Sequence, residues 1–329
     1  MTTRFGLLGA GRIGQTHAKA VASNEGAVIA TVADPLEAAA KSIADKYKAD
    51  INTIDEIAAR DDIDAVIICT PTDMHADQIE QFARAGKAIF CEKPIDLNVE
   101  RVKSCLKTVE ETGTLLMVGF NRRFDPHFSA MRQAIQNGQI GKAEMGVIIS
   151  RDPAAPPADY ITRSGGLFRD MMIHDFDMAV FLMGDMPQKV QASGSVLTDP
   201  QIGELGDVDS ANAILTWADG RQVSISNSRR ASYGYDQRIE MHGEEGMITA
   251  ENQRPISIEV ASSTGFTRPP LHDFFMTRYL DAYAAEISAF VKALNTGEAD
   301  IPQGIDGLNA LMLAEAALQS ATTGEAVYL

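Results

Sequence analysis

The stretch "RFGLLGAGRIG", residues 4–14, decides the fold. It runs from a short apolar segment straight into Gly9, Gly11 and Gly14, spaced G-x-G-x-x-G. The following "IGQTHAKAVAS" has helical patterning. A strand that enters a glycine turn and leaves as a helix opens a dinucleotide-binding βαβ unit. Gly9 allows the tight turn, Gly11 lets the backbone approach a pyrophosphate, and Gly14 lets the helix pack close to the strand. The helix N-terminus then faces the phosphates. Arg12 within the loop points to phosphate or solvent, and Ile13 is expected beside it on the cofactor side. The next apolar run, "AVIATVADP", ends at Asp34. An acidic side chain there binds both ribose hydroxyls and repels a 2′-phosphate, so NAD is expected rather than NADP.

The alternation continues outward from this unit. "LEAAAKSIADKY" is a helix, "IDAVIICTPT" a buried strand, "DQIEQFARAGK" a helix, "AIFCEKP" a strand, "NVERVKSCLKTVEETG" a helix and "TLLMVGFN" a strand. Apolar runs of this length between helices imply a parallel sheet covered on both faces. After about residue 122 the rhythm changes. "HFSAMRQAIQNG" is helical, "AEMGVIIS" is strand-like, and "KVQASGSVL", "SANAILTWADG", "RQVSISNSR", "DQRIEMHG" and "GMITAEN" alternate with period two. Asp219-Gly220 and "GEEG" read as hairpin turns. The fold class is therefore α/β: a Rossmann domain over residues 1–121, then an α+β domain with a large, mostly antiparallel open sheet over residues 122–329.

Composition narrows the function. Lys plus Arg total 29 against 45 Asp plus Glu, a formal charge of −16, which makes nucleic acid and anionic membranes poor partners. No apolar stretch approaches the roughly 18 residues of a membrane span, and no signal peptide is legible at the N-terminus. Cys69, Cys91 and Cys105 form no C-x-x-C pair and read as buried thiols in a reducing compartment, so a cytoplasmic protein without a metal site is expected.

Strand ends carry the candidate chemistry, because ligands bind there in doubly wound sheets. "TPTDMHAD" brings Thr70, Pro71 and His75 towards the cofactor crevice, with capping of the next helix as the other role for His75. "CEKP" brings Glu92 and Lys93, with Pro94 expected to hold Lys93 in extended geometry. The Lys93 ammonium suits a substrate hydroxyl and its developing alkoxide, and Glu92 is its ion-pair partner or a cofactor contact. In "RDMMIHDFD", residues 169–177, spacings of four and three put Asp170, His174 and Asp177 on one face of a single helix. Histidine suits the base that removes a hydroxyl proton. Asp170 orients it, and Asp177 is structural.

"GAGRIG", "EKP" and "GGLFRDMMIHDFDMAVFLMG", in that order, resemble the glucose–fructose oxidoreductase/inositol dehydrogenase/rhizopine catabolism family. The likeness extends through "MVGFNRRFDPHF", "SRDPAAPP", "SNSRRASYGYDQRIEMHGEEGM" and "RPPLHDFFMTRY", nearly the whole chain. It implies a catalytic set of Lys93, Asp170 and His174, with His174 as base. It implies Arg122 on the cofactor side and Arg123, Asp152 and Tyr235 on the substrate side. It also implies a homo-oligomer, tetramer or dimer, built on one face of the open sheet. The branch it resembles oxidises myo-inositol to the 2-keto product with NAD. The alternatives are scyllo-inositol or an aldose such as glucose as substrate, and a non-catalytic NAD-binding regulator.

Overall fold

A computed structural model describes residues 2–298 and 300–329. The chain forms two compact units: Met1–Phe124 with Leu280–Leu311, and Asp125–Tyr279 with Met312–Leu329.

The first unit is built on six parallel strands: β1 (Thr3–Leu8), β2 (Ala27–Ala33), β3 (Asp50–Ile51), β4 (Ala65–Ile68), β5 (Ala88–Cys91) and β6 (Leu116–Val118). Their order is β3-β2-β1-β4-β5-β6. Between them run α1 (Arg12–Ala22), α2 (Glu37–Tyr47), α3 (Ile54–Ala59), α4 (His75–Arg84) and α5 (Val99–Thr112). Val66, Ile67 and Ile68 are all 0% exposed, as a sheet covered on both faces requires. The order turns back between β1 and β4. Leu8 pairs with Ile68 there, so both strands end side by side, at the crevice where such sheets bind ligands. Two elements have no counterpart in the sequence reading, β3 and α3. The helix starts on a reciprocal cap, in which the Thr53 hydroxyl accepts the Glu56 N–H and the Glu56 carboxylate accepts the Thr53 N–H.

The second unit carries a seven-stranded sheet: β7 (Ala143–Arg151), β8 (Lys189–Ser195), β9 (Ser210–Thr216), β10 (Gln222–Ser228), β11 (Asp236–Gly243), β12 (Gly246–Ala250) and, after the separate hairpin β13 (Val260–Ser262) and β14 (Gly265–Thr267), β15 (Val327–Tyr328). The order is β12-β11-β7-β10-β9-β8-β15. Only β7 and β10 pair in parallel; every other pairing is antiparallel. Gly220 makes one hairpin turn at φ +92°, and Glu244-Glu245 makes another between the paired Gly243 and Gly246. Alternation places Val223, Ile225 and Asn227 inward, and leaves Met145, Val147, Ile214 and Met247 exposed. The unit's helices are α6 (Pro126–Gln136), α7 (Ala158–Ser164), α8 (Gly166–Asp170), α9 (Ile173–Met183), α10 (Pro200–Glu204) and α11 (Phe275–Arg278). Asp125 caps α6 by accepting the His127 and Phe128 N–H groups.

The "RDMMIHDFD" stretch is not one helix, which corrects the expectation from spacing. It ends α8 at Asp170 and starts α9 at Ile173. Both the Met171 and Met172 N–H groups donate to the Leu167 carbonyl, so the hydrogen-bond ladder slips by a residue. Met171, Met172 and Ile173 are 6%, 0% and 0% exposed. The burial does not stop there: Asp175 to Ala179 within α9 are buried as well. Asp170 and His174 therefore belong to different helices; His174 and Asp177 share α9.

Two long helices follow, α12 (Leu280–Thr296) and α13 (Gly304–Thr323). The division at residue 121/122 cuts the chain once, whereas the contacts return residues 280–311 to the first unit. Phe290 of α12 explains the return. Its ring lies 6.0 Å from Phe5 and 6.1 Å from Phe90, inside the first unit's core. Among the described residues no helix is long and apolar enough to cross a membrane.

Candidate functional site

In the first unit the glycine turn is dictated by close backbone approach. Gly9 has φ +91°, and a Cβ there would stand 2.5 Å from the Cys69 carbonyl oxygen. A Cβ on Gly14 would stand 2.0 Å from the Gly9 oxygen. Gly11 differs: a Cβ there would meet nothing within 4 Å. Gly9 and Gly14 thus shape the turn, while the space over Gly11 suits a group that approaches the backbone. Arg12 beside it is exposed and Ile13 is half-buried. Asp34 follows β2 and accepts the Ala10 N–H on Oδ2 at 2.7 Å and the Leu36 N–H on Oδ1 at 2.8 Å. The carboxylate therefore braces the glycine turn from the side. Each of its oxygens has a second lone pair, the acceptor capacity a ribose diol needs.

Thr70 follows the end of β4, and its hydroxyl donates to Gln78 at 2.7 Å. Pro71 is exposed just after it. His75 is 2% exposed, with Nδ1 2.8 Å from the Pro94 oxygen and Nε2 2.7 Å from the Thr70 oxygen. Burial pushes its pKa down, while the two carbonyls pull it up. The ring ties two strand ends together through their main chains. The Lys93–Pro94 bond is cis, which the sequence reading did not anticipate. Glu92 accepts the Lys93 main-chain N–H on Oε2 at 3.2 Å and lies 2.6 Å from His17 Nε2. Arg122 is 5% exposed. Arg123 donates to Asp306 at 2.9 Å, so both arginines sit in the first unit.

The second unit holds Asp170 and His174 on consecutive helices. Asp170 Oδ1 accepts the Tyr160 hydroxyl at 2.8 Å, and Oδ2 lies 3.6 Å from Nη2 of Arg229. Arg229 is 1% exposed and also stands 3.6 Å from Asp207. Asp207 accepts the Leu167 N–H at the start of α8, where a Cβ on Gly166 would come within 2.7 Å of its Oδ1. One buried guanidinium therefore serves carboxylates at both ends of a five-residue helix. Sequence reasoning missed Arg229, Asp207 and Tyr160, since nothing local marks them. It also missed Asp175, which is 0% exposed and accepts the Ser150 hydroxyl at 2.6 Å and the Asn227 amide at 2.7 Å. These bonds pin α9 to β7 and β10. Asp177 is buried at 2%. Asp152 follows β7, its N–H on the Ser228 oxygen at 2.9 Å. Tyr235 is 5% exposed, edge-on to Phe274 at 5.8 Å and Tyr279 at 6.0 Å. All three cysteines are buried and free, and burial pushes the Cys69 and Cys91 thiols up.

A doubly wound sheet, a glycine turn open over Gly11 and an acidic residue after the second strand define a dinucleotide-binding protein. Residues 3–120 match the oxidoreductase family with an NAD-binding Rossmann fold, and residues 128–249 match the GFO/IDH/MocA C-terminal domain. The chain belongs to the GFO/IDH/MocA oxidoreductase family. It is 64% identical, over 97% of each chain, to an inositol 2-dehydrogenase of Rhizobium meliloti (strain 1021). The crystal structure of a myo-inositol dehydrogenase from Corynebacterium glutamicum superposes with TM-score 0.96 at 42% identity, covering 100% of this chain and 99% of that one. A scyllo-inositol dehydrogenase from Lactobacillus casei, solved with NAD(H) and scyllo-inositol, superposes with TM-score 0.93 at 28% identity over 100% and 99%.

Proposed function

We propose that the protein is an NAD-dependent dehydrogenase that oxidises one ring hydroxyl of myo-inositol to the 2-keto product. The observation that carries this reading is the 64% identity to an inositol 2-dehydrogenase across 97% of both chains. His174 takes the hydroxyl proton. Lys93 holds the hydroxyl oxygen and stabilises the charge that develops on it. Asp170, fixed by Tyr160 and Arg229, orients the acceptor of that proton. NAD, when bound, supplies the hydride acceptor. Gly9, Gly11, Arg12, Ile13, Gly14, Asp34, Thr70, Pro71, Glu92 and Arg122 serve the cofactor, and His75 serves it through the main chain it ties together. Asp34 favours NAD over NADP.

A cyclic polyol needs many polar partners, and Arg123, Asp152 and Tyr235 supply some of them. A polar pocket separates epimers strongly, because the wrong one leaves buried donors unpaired. The second substrate reading is scyllo-inositol, favoured by the likeness to the Lactobacillus casei enzyme. Initial rates with NAD on a panel of myo-inositol, scyllo-inositol and glucose, read as reduced-cofactor absorbance, test both. The reading requires the highest kcat/KM for myo-inositol; a higher value for glucose sinks it.

The protein works as a homo-oligomer, a tetramer or a dimer, in the cytoplasm. The exposed Met145, Val147, Ile214 and Met247 on one sheet face support the first point, and the three buried free thiols support the second. Light scattering after size exclusion tests the assembly; a monomer at micromolar concentration overturns it.

A further inference from the structure

His17 lies in α1, the helix that leaves the glycine turn, yet it is 0% exposed. Its ring is edge-on to Phe90 at 4.8 Å and to Tyr283 at 5.4 Å. Nε2 is 2.6 Å from Oε1 of Glu92, and Nδ1 is 3.8 Å from Oε1 of Glu286 on α12. Glu286 is also 0% exposed, and no hydrogen bond reaches either of its oxygens or His17 Nδ1. The remaining oxygen of Glu92 accepts the main-chain N–H of Lys93. The side chains thus form a file, Glu286 then His17 then Glu92, that ends on the backbone of Lys93.

Proton placement follows from chemistry. A contact of 2.6 Å between a ring nitrogen and a carboxylate oxygen needs a proton between them, so one lies between Nε2 and Glu92. An ionised carboxylate with no partner in a dry interior costs several kcal/mol. Burial and the charge of Glu92 both drive Glu286 well above the usual carboxylate range. The protonated acid is a donor, and His17 Nδ1 is the acceptor that faces it. The two stand 3.8 Å apart, so the bond requires the side chains to draw closer by about 1 Å. The Glu286 O–H and His17 Nδ1, both buried, are then matched to each other. Glu92 is the member that holds Lys93.

We propose that His17 is a positioning residue for Lys93: it orients Glu92, which fixes the Lys93 backbone, and the neutral acid of Glu286 sets the tautomer of His17. The proposal rests on the reading of Lys93 as catalytic. It assigns a use to a buried acid that the proposed chemistry otherwise leaves idle.

The test uses the full chain, with steady-state kinetics on myo-inositol and NADH dissociation constants from cofactor fluorescence. His17→Leu and Glu286→Leu should lower kcat on the order of tenfold to a hundredfold, with the NADH dissociation constant within about threefold of wild type. Glu286→Gln should recover most of the loss, because its amide N–H donates to Nδ1 as the acid O–H does. Infrared difference spectra should show a protonated-carboxyl C=O band in the wild type at neutral pH that is absent in Glu286→Gln. Unchanged kcat in His17→Leu, equal damage by Glu286→Gln and Glu286→Leu, or a missing infrared band overturns the proposal. If the leucine variants do not fold, the infrared band and the ¹⁵N shift of His17 Nδ1 in the wild type decide it. A wild type that oxidises no polyol sinks the function reading instead, and the same spectra still decide the proton file.

Discussion

The two candidate half-sites are built in opposite ways. In the first unit the cofactor turn is made by backbone contact. Gly9 and Gly14 sit so close to neighbouring carbonyl oxygens that no side chain fits. In the second unit the helices that carry Asp170 and His174 are held by side chains from far along the chain, Arg229 on Asp170 and Ser150 and Asn227 on Asp175. A site made by local backbone sterics leaves a motif in the sequence. A site made by buried polar pairs leaves scattered residues whose partners emerge only on folding.

The largest expected effect bears on which unit holds the proton chemistry. His174→Ala should lower turnover by about 10² to 10⁴, the usual range for removal of a general base or acid. A kcat unchanged across the pH range would move the base elsewhere. The next pair separates the two ways of building a site. Gly14→Ala drives a methyl against the Gly9 oxygen and should abolish cofactor binding or folding, whereas Gly11→Ala should leave the thermal midpoint within a degree or two and weaken NAD roughly tenfold. Equal damage from both would break the distinction between a turn-shaping and a ligand-facing glycine. On the other side, Asp175→Asn sets an amide N–H₂ against the Ser150 or Asn227 donor. It should cost about 1–3 kcal/mol in urea unfolding. A neutral result would show that α9 is held by its apolar surface alone.

This contrast explains what could be read in advance. The parallel sheet and its glycine turn follow from patterns a few residues long, and the structure has both in place; Asp34 and Lys93 were singled out by the same kind of local pattern. The period-two strands of the second unit were legible for the same reason. The break between Asp170 and His174 was not: it lies where the Met171 and Met172 N–H groups share the Leu167 carbonyl, a slip that residue spacing does not announce. Spacing rules assume a continuous helix. Arg229 was hidden likewise, as one arginine of "SRR" with nothing local to tell it from Arg230.

Two smaller effects sharpen the view of the first unit. Asp34→Ser should reduce discrimination against NADP by about tenfold, since it removes the charge that repels a 2′-phosphate. NAD/NADP ratios measured at equal ionic strength check this, and an unaltered ratio refutes the role. Glu286 predicts a pH trend. Its folded pKa is raised by burial, so folding retains a proton that the unfolded chain releases above about pH 4.3. The stabilisation is thus complete below that pH and declines as pH rises towards the folded value, by about 1.4 kcal/mol per unit. The stability difference between wild type and Glu286→Gln should therefore grow in favour of the variant as pH rises above about 5, by urea unfolding at each pH. A difference that stays flat would mean that Glu286 is ionised in the native protein.

The return of α12 to the first unit bears on how the chain folds as it leaves the ribosome. Phe5 and Phe90 emerge early, but Phe290, which lies against both, arrives some 200 residues after Phe90. The nascent nucleotide-binding unit must keep part of its core unfilled while most of the second unit is synthesised. Long-range closure of this kind slows folding and prolongs exposure of apolar surface. The last fifth of the polypeptide thereby governs when the first third becomes stable.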